Sequence, residues 1–164
     1  MTAIPASPVQ LFNSPLETGI RSVLILQAAL PRAFDLTHLT WLDHLVVHTA
    51  DIGGPSSLHP DIPQRDGELI VRRRNVEAGL QLMRRMHLVS TRYSEEGIRF
   101  QITEEGAQLA QLVRSDYGRR LKLRAAWLLD YVARMDTSEF VRVISDKIGR
   151  WTIEFQSEGS APNV

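Results

Sequence analysis

Apolar positions recur at helical spacing along most of the chain and switch to strict alternation in one place. Ser14-Pro15-Leu16-Glu17 reads as a helix start: a capping hydroxyl, a proline at the first helical position, and a glutamate that completes a capping box. The helix predicted from there to about Ala29 includes "VLILQAAL", apolar nearly all round, which marks a central buried helix stopped by Pro31. Asp35 is the next cap, with Leu36, Leu39, Leu42 and Leu45 or Val46 following at helical spacing to about Thr49, and Gly53-Gly54 closing the element. A short helix is expected over Glu68 to Arg73. Asn75 is read as the cap of another helix, in which Val76, Leu80 and Met83 share a face.

"HLVSTRY" and "IRFQIT" alternate around "SEEG" and predict a short hairpin, after which Thr103 caps a helix opening on Glu104 and Glu105. Helix, short helix, helix, hairpin, helix is the winged helix-turn-helix order, with Val76 to Met86 in the recognition position and Tyr93 to Arg99 as the wing. The fold class expected is therefore mainly α with a small β-hairpin wing, a winged helix-turn-helix-like core plus C-terminal helices. From Tyr117 to Met135, Leu121, Ala125, Leu128, Val132 and Met135 form a heptad-like stripe beside Trp127 and Tyr131. Asp136 and Glu139 frame a last helix with Phe140, Val141, Ile144 and Ile148, and Trp151, Ile153 and Phe155 alternate as in an extended segment. The division expected is a flexible arm over 1–10, a winged-helix-like domain over 11–115, a helical extension over 116–149 and a short extended segment and tail over 150–164.

Composition narrows the function. A chain of 164 residues with 43% hydrophobic content can form one real core. With no cysteine, disulfides and thiolate zinc sites are excluded, and a cytoplasmic setting is expected. "MTAIPASPVQ" lacks the basic start and apolar centre of a signal peptide, and no apolar run approaches the roughly 20 residues that span a bilayer, so no membrane association is expected. The 19 basic and 19 acidic residues cancel, so any attraction to nucleic acid must be local.

The chemistry that would mark an enzyme is missing: there is no G-x-x-x-x-G-K-[ST] loop, no G-x-S-x-G elbow and no H-E-x-x-H pair. No catalytic residue, cofactor or metal is assigned. His48, Asp51, His59 and Asp61 are of metal-ligand type, but such groups at a helix end and in a Pro-rich loop commonly satisfy stray backbone groups, and a metal-dependent enzyme ranks below the other readings. Arg72, Arg73, Arg74, Arg84, Arg85, Arg92 and Arg99 are the candidate nucleic-acid contacts, since a winged helix sets its recognition helix and wing on the DNA backbone. Glu68, Glu77, Glu95 and Glu96 dilute that cluster, and a solvated, salt-bridged face is the competing reading.

The wording of "LFNSPLETGIRSVLIL", "LDHLVVHTADIGGPSSLHPDIPQRDGELIVRR", "GLQLMRRMHLV" and "GIRF" resembles the middle-component family of bacterial ABC-three-component systems, from about Leu11 to the region of Trp127. That resemblance implies a non-catalytic accessory subunit between an effector and a coiled-coil, SMC-like ABC ATPase of the kind used in chromosome maintenance, in operons that look like Lamassu-type phage defence. The expected partners are that ATPase and the effector, with at most a weak, non-specific DNA contact. On this reading the Pro- and Gly-punctuated stretch "DIGGPSSLHPDIPQR" is a preformed docking surface, with Asp51, His59, Asp61 and Arg65 as directional polar contacts. The alternative is a free winged-helix DNA-binding transcriptional regulator.

Overall fold

A computed structural model describes residues 14–60 and 68–148. The first helix, α1 (Pro15–Ala29), starts where the sequence places it, with Ser14 Oγ accepting from the Glu17 amide at 3.2 Å. Its residues from Thr18 to Leu26 are nearly all buried, because the next four α-helices pack around it. The closest of these crossings is with α3 (Glu68–Arg85). There Gly19 and Gly79 bring the two backbones together: a Cβ at Gly79 would lie 2.6 Å from the Gly19 nitrogen and 2.9 Å from the Pro15 carbonyl oxygen.

Between them, α2 (Leu36–Val47) is capped by Asp35, whose carboxylate accepts from the His38 amide at 2.8 Å. A 3₁₀ turn over Thr49–Ile52 follows and ends at Gly53, whose φ of 77° is one that a side chain would strain. Strands β1 (Val89–Ser94) and β2 (Gly97–Ile102) pair antiparallel around a Glu95-Glu96 turn, with Val89 opposite Ile102 and Arg92 opposite Arg99. Phe34 adds a single bridge to β2 through reciprocal backbone bonds with Phe100 of 3.0 and 2.7 Å, which ties the α1–α2 connection to the hairpin.

Thr103 caps α4 (Glu104–Leu112), and Ser115 caps α5 (Asp116–Ala133). The apolar stripe of α5 is buried against α1 and α2: Leu121, Ala125, Leu128, Leu129 and Val132 join the same hydrophobic cluster as Leu26, Leu42 and Leu80. Asp136 and Glu139 exchange backbone-to-carboxylate bonds of 3.0 and 2.8 Å at the start of α6 (Thr137–Ile148), the reciprocal box that the sequence announces. Residues Trp151, Ile153 and Phe155 lie outside the described residues.

One element differs from the sequence expectation. The break expected at Asn75 is absent, and a single helix of 18 residues replaces the short helix and its successor. Leu69, Arg72, Val76, Leu80 and Met83 make one continuous buried stripe along α3. Arg72 sits in that stripe as a buried cation, so a reading that counts only apolar positions sees a gap where the helix continues.

Candidate docking surface and the polar network beneath it

The loop singled out by its prolines and glycines rests on a charged core. Asp43, in the middle of α2, is completely buried and receives two guanidiniums. Arg21 of α1 donates to it through Nε at 2.8 Å and Nη2 at 3.3 Å, and Arg72 of α3 donates through Nη1 at 2.6 Å. Burial alone would raise the Asp43 pKa, but the two cations outweigh it and hold the carboxyl below its usual range. The same contact keeps Arg21 above its ordinary value despite its own desolvation. A buried carboxylate shared by two arginines costs desolvation, yet removing one member strands the others, so the trio fixes the mutual placement of α1, α2 and α3.

The network extends outward along α2 and into the loop. His44 and His48, one turn apart, have ring centroids 4.6 Å apart, and His48 meets His59 edge to face at 6.2 Å. His59 Nε2 lies 2.7 Å from the hydroxyl of Tyr117 at the start of α5, and the Arg21 guanidinium also reaches that hydroxyl. Burial, with Arg21, His48 and Arg72 nearby, pushes His59 down to about 4. His59 is therefore neutral near pH 7 and can accept the tyrosine proton. Burial raises Tyr117, which keeps it the donor. His44 is pushed down to about 3, first by burial and then by Arg72, so its approach to Asp51 at 3.9 Å joins a neutral ring to a carboxylate and is not an ion pair.

The loop above this network is fastened at both edges. The Val47 carbonyl accepts from the Leu58 and His59 amides at 3.0 and 3.1 Å, Thr49 Oγ1 donates to the Pro55 carbonyl at 2.7 Å, and the Ala50 amide donates to Ser57 Oγ at 3.2 Å. From α5, Arg124 donates to the Ser56 carbonyl at 3.0 Å and to its hydroxyl at 3.3 Å. Gly54 lies against the Trp127 ring, where a Cβ would stand 2.5 Å from Cη2. Ala50, Asp51, Gly53, Ser56 and Pro60 face solvent from this frame.

Asp51 is thus on the surface as expected, and His59, half-buried, sets its ring on Tyr117 and so anchors the loop. Asp61 and Arg65 lie outside the described residues. Arg72, expected among the phosphate contacts, lies in the interior on Asp43, because α3 continues through it. Arg73 donates to Thr37 Oγ1 at 2.8 Å and Arg84 to Gln81 Oε1 at 3.1 Å. Arg74 and Arg85 are exposed. Arg92 and Arg99 face each other across the hairpin, with Arg99 bound to Glu96 at 2.6 Å, and line an open cleft of about 820 Å³ together with Arg32, His38, Phe34 and Phe140. Asp35, Glu95, Glu96 and Asp136 share that cleft, so its charge is mixed. Among the described residues, no group of three or more His, Asp and Glu side chains is arranged to hold a metal ion.

Arg21, Asp43, Tyr117 and Arg124 were not among the residues that the sequence suggested. Arg21 and Asp43 do leave a signal, since each interrupts an otherwise apolar helical face in "GIRSVLIL" and "WLDHLVV". Tyr117 and Arg124 leave none, because only the packing of α5 under the loop brings them there.

A family model for the ABC-three component (ABC-3C) system Middle Component 2 matches residues 11–154. The chain belongs to that family. No curated protein and no solved structure in the comparison matches it. A Middle Component 2 protein is an accessory subunit of an ABC-three-component system, with its partners inside that system, and the family suggests a non-catalytic role. Among the described residues no helix of this middle component is long and apolar enough to cross a membrane.

Proposed function

We propose that this middle component is the non-catalytic link between a coiled-coil, SMC-like ABC ATPase and an effector in a Lamassu-like anti-phage defence complex in the cytoplasm, and that the loop after α2 is its docking surface. The observation that carries this reading is the fastening of that loop. From Val47 to His59 the connection is held by α2 at its base and by Arg124, Tyr117 and Trp127 of α5 along its edge, so this part is already in one shape before a partner arrives. Little ordering entropy is then lost on binding, which suits a recognition surface. Asp51, with Asp61 and Arg65 beyond it, supplies the directional contacts, while His59 holds the frame.

Replacing Asp51, Asp61 and Arg65 together by alanine tests the reading. On this reading the three side chains serve docking and not the fold, so the variant is expected to melt within a few degrees of the parent and to lose co-purification with the ATPase or effector. Leu80→Ala, at a fully buried core position, is the control and costs about 2–5 kcal/mol of stability. Normal co-purification of the triple variant overturns the proposal.

A second reading is supported by the order of elements. Helix α1, the Phe34 bridge, α2, α3, β1 and β2 follow one another as in a winged helix-turn-helix, with α3 in the recognition position and the hairpin as wing. Arg74, Arg85, Arg92 and Arg99 would then touch phosphates as an auxiliary contact. Such binding to duplex DNA is weak, indifferent to sequence and steeply reduced by salt. Tight, sequence-selective binding at physiological salt would favour a transcriptional regulator instead.

A further inference from the structure

The side of α5 turned away from the core carries a pattern that the docking loop does not use. Leu123 is 66% exposed and lies on the helix face opposite Leu121, Ala125, Leu128 and Val132, which are buried. It belongs to an outward stripe of Asp116, Arg119, Leu123, Ala126, Asp130 and Ala133, all exposed and spaced alternately three and four residues apart. Arg124, one position along, is committed to Ser56 and leaves the stripe clear.

The stripe is symmetric about its own centre, between Arg124 and Ala125. Leu123 mirrors Ala126, Arg119 mirrors Asp130, and Asp116 mirrors Ala133 with Arg134 beside it. When a helix packs antiparallel on a copy of itself about that centre, each residue faces its mirror position. Leu123 then meets the small Ala126 of the other copy, which lets the helices approach closely, and Arg119 meets Asp130 at both ends. Asp116 and Arg134 complete an alternating quartet of charges at each end. A parallel pair would instead set Arg119 against Arg119 and Asp130 against Asp130. Within one chain these charges hold only surface partners: Arg119 lies 3.6 Å from Asp116 and Arg134 lies 2.8 Å from Asp130, with all four side chains mostly exposed. Surface pairs of that kind are exchanged at little cost.

We infer that the outer face of α5 is a self-association surface, on which a second copy of this chain docks antiparallel with Leu123 at the centre and Arg119–Asp130 pairs at the ends. A single helix pair falls below the roughly 1,600 Å² of a standard interface, so the dimer of the isolated chain is weak and salt-sensitive, and gains strength when two copies are held in one assembly.

Sedimentation equilibrium of the full chain, from micromolar to near-millimolar concentration, reads this directly. The expected result is a monomer–dimer equilibrium that Leu123→Glu abolishes without moving the melting temperature, because the side chain is exposed. Arg119→Glu and Asp130→Arg should each weaken dimerisation by roughly tenfold. An equimolar mixture of those two variants should recover it, since each mismatched end then meets its complement. A chain that stays monomeric throughout overturns the inference, as does a dimer indifferent to Leu123→Glu. A mixture that fails to recover overturns the antiparallel arrangement.

Discussion

Asp43, Arg21, His44 and His59 make the interior of this protein sensitive to acid in a definite direction. An unfolded histidine takes up a proton near 6.5, whereas folded His59 and His44 resist until about 4 and about 3. Between those limits the unfolded chain binds more protons than the folded one, so stability is fully present above pH 6.5 and falls as the pH is lowered through the histidine range. Asp43 adds a further loss below the ordinary aspartate range of 3.8, since its carboxylate must stay ionised between the two arginines. Urea midpoints measured from pH 8 to pH 4 should therefore decline from about pH 6.5 downward. His44→Gln should flatten the upper part of that decline, and an unchanged slope in that variant would show that His44 does not titrate as its burial implies. Part of this was legible in the sequence: an arginine and an aspartate inside apolar helical faces announce buried charge. Which charge meets which could not be read, because Arg21, Asp43 and Arg72 are brought together only by the packing of three helices.

Among the elements, α3 separates what local pattern shows from what it hides. The caps of α1, α2, α4, α5 and α6, and the hairpin turn, are local events, which is why Ser14, Asp35, Thr103 and the Asp136–Glu139 box could be recognised from a few residues. The continuity of α3 depends instead on a buried cation at Arg72 and on Asn75 lying within a helix. Two substitutions test this. Asn75→Ala should be neutral or stabilise by a few tenths of a kcal/mol, because alanine favours a helix interior, whereas loss of a true cap would cost about 1 kcal/mol. Gly79→Ala should destabilise by about 1–3 kcal/mol or more, since the added carbon meets backbone of α1 that cannot move aside. Chemical denaturation reads both: Asn75→Ala distinguishes one long helix from two, and Gly79→Ala checks the close crossing of α3 on α1.

Across the whole molecule, the loop after α2 and the N-terminal half of α5 act together. Tyr117→Phe removes the hydroxyl that joins His59 to Arg21 while keeping the ring. The variant should lose about 1 kcal/mol and expose the backbone between Thr49 and His59 to faster hydrogen exchange and proteolysis, with α1 amides unaffected. Equal loosening of α1 would mean that loop and core open as one unit. The sequence marked this stretch through its prolines and glycines but could not show that α5 lies beneath it, a relation between residues some sixty positions apart. The path of that stretch has a further consequence. The chain departs from α2 at Val47 and returns to the same carbonyl at Leu58 and His59, so the residues between form a closed bight whose two ends share one mooring. Gly53 with its positive φ, Gly54 against Trp127 and Ser56 under Arg124 hold the course of the bight, so substitution there disturbs its path, whereas a change at the exposed Ala50 or Asp51 leaves the shared mooring in place. The segment is in that sense a fixed mould: its inward groups set its course, and Ala50, Asp51 and Pro60 are what it turns to solvent.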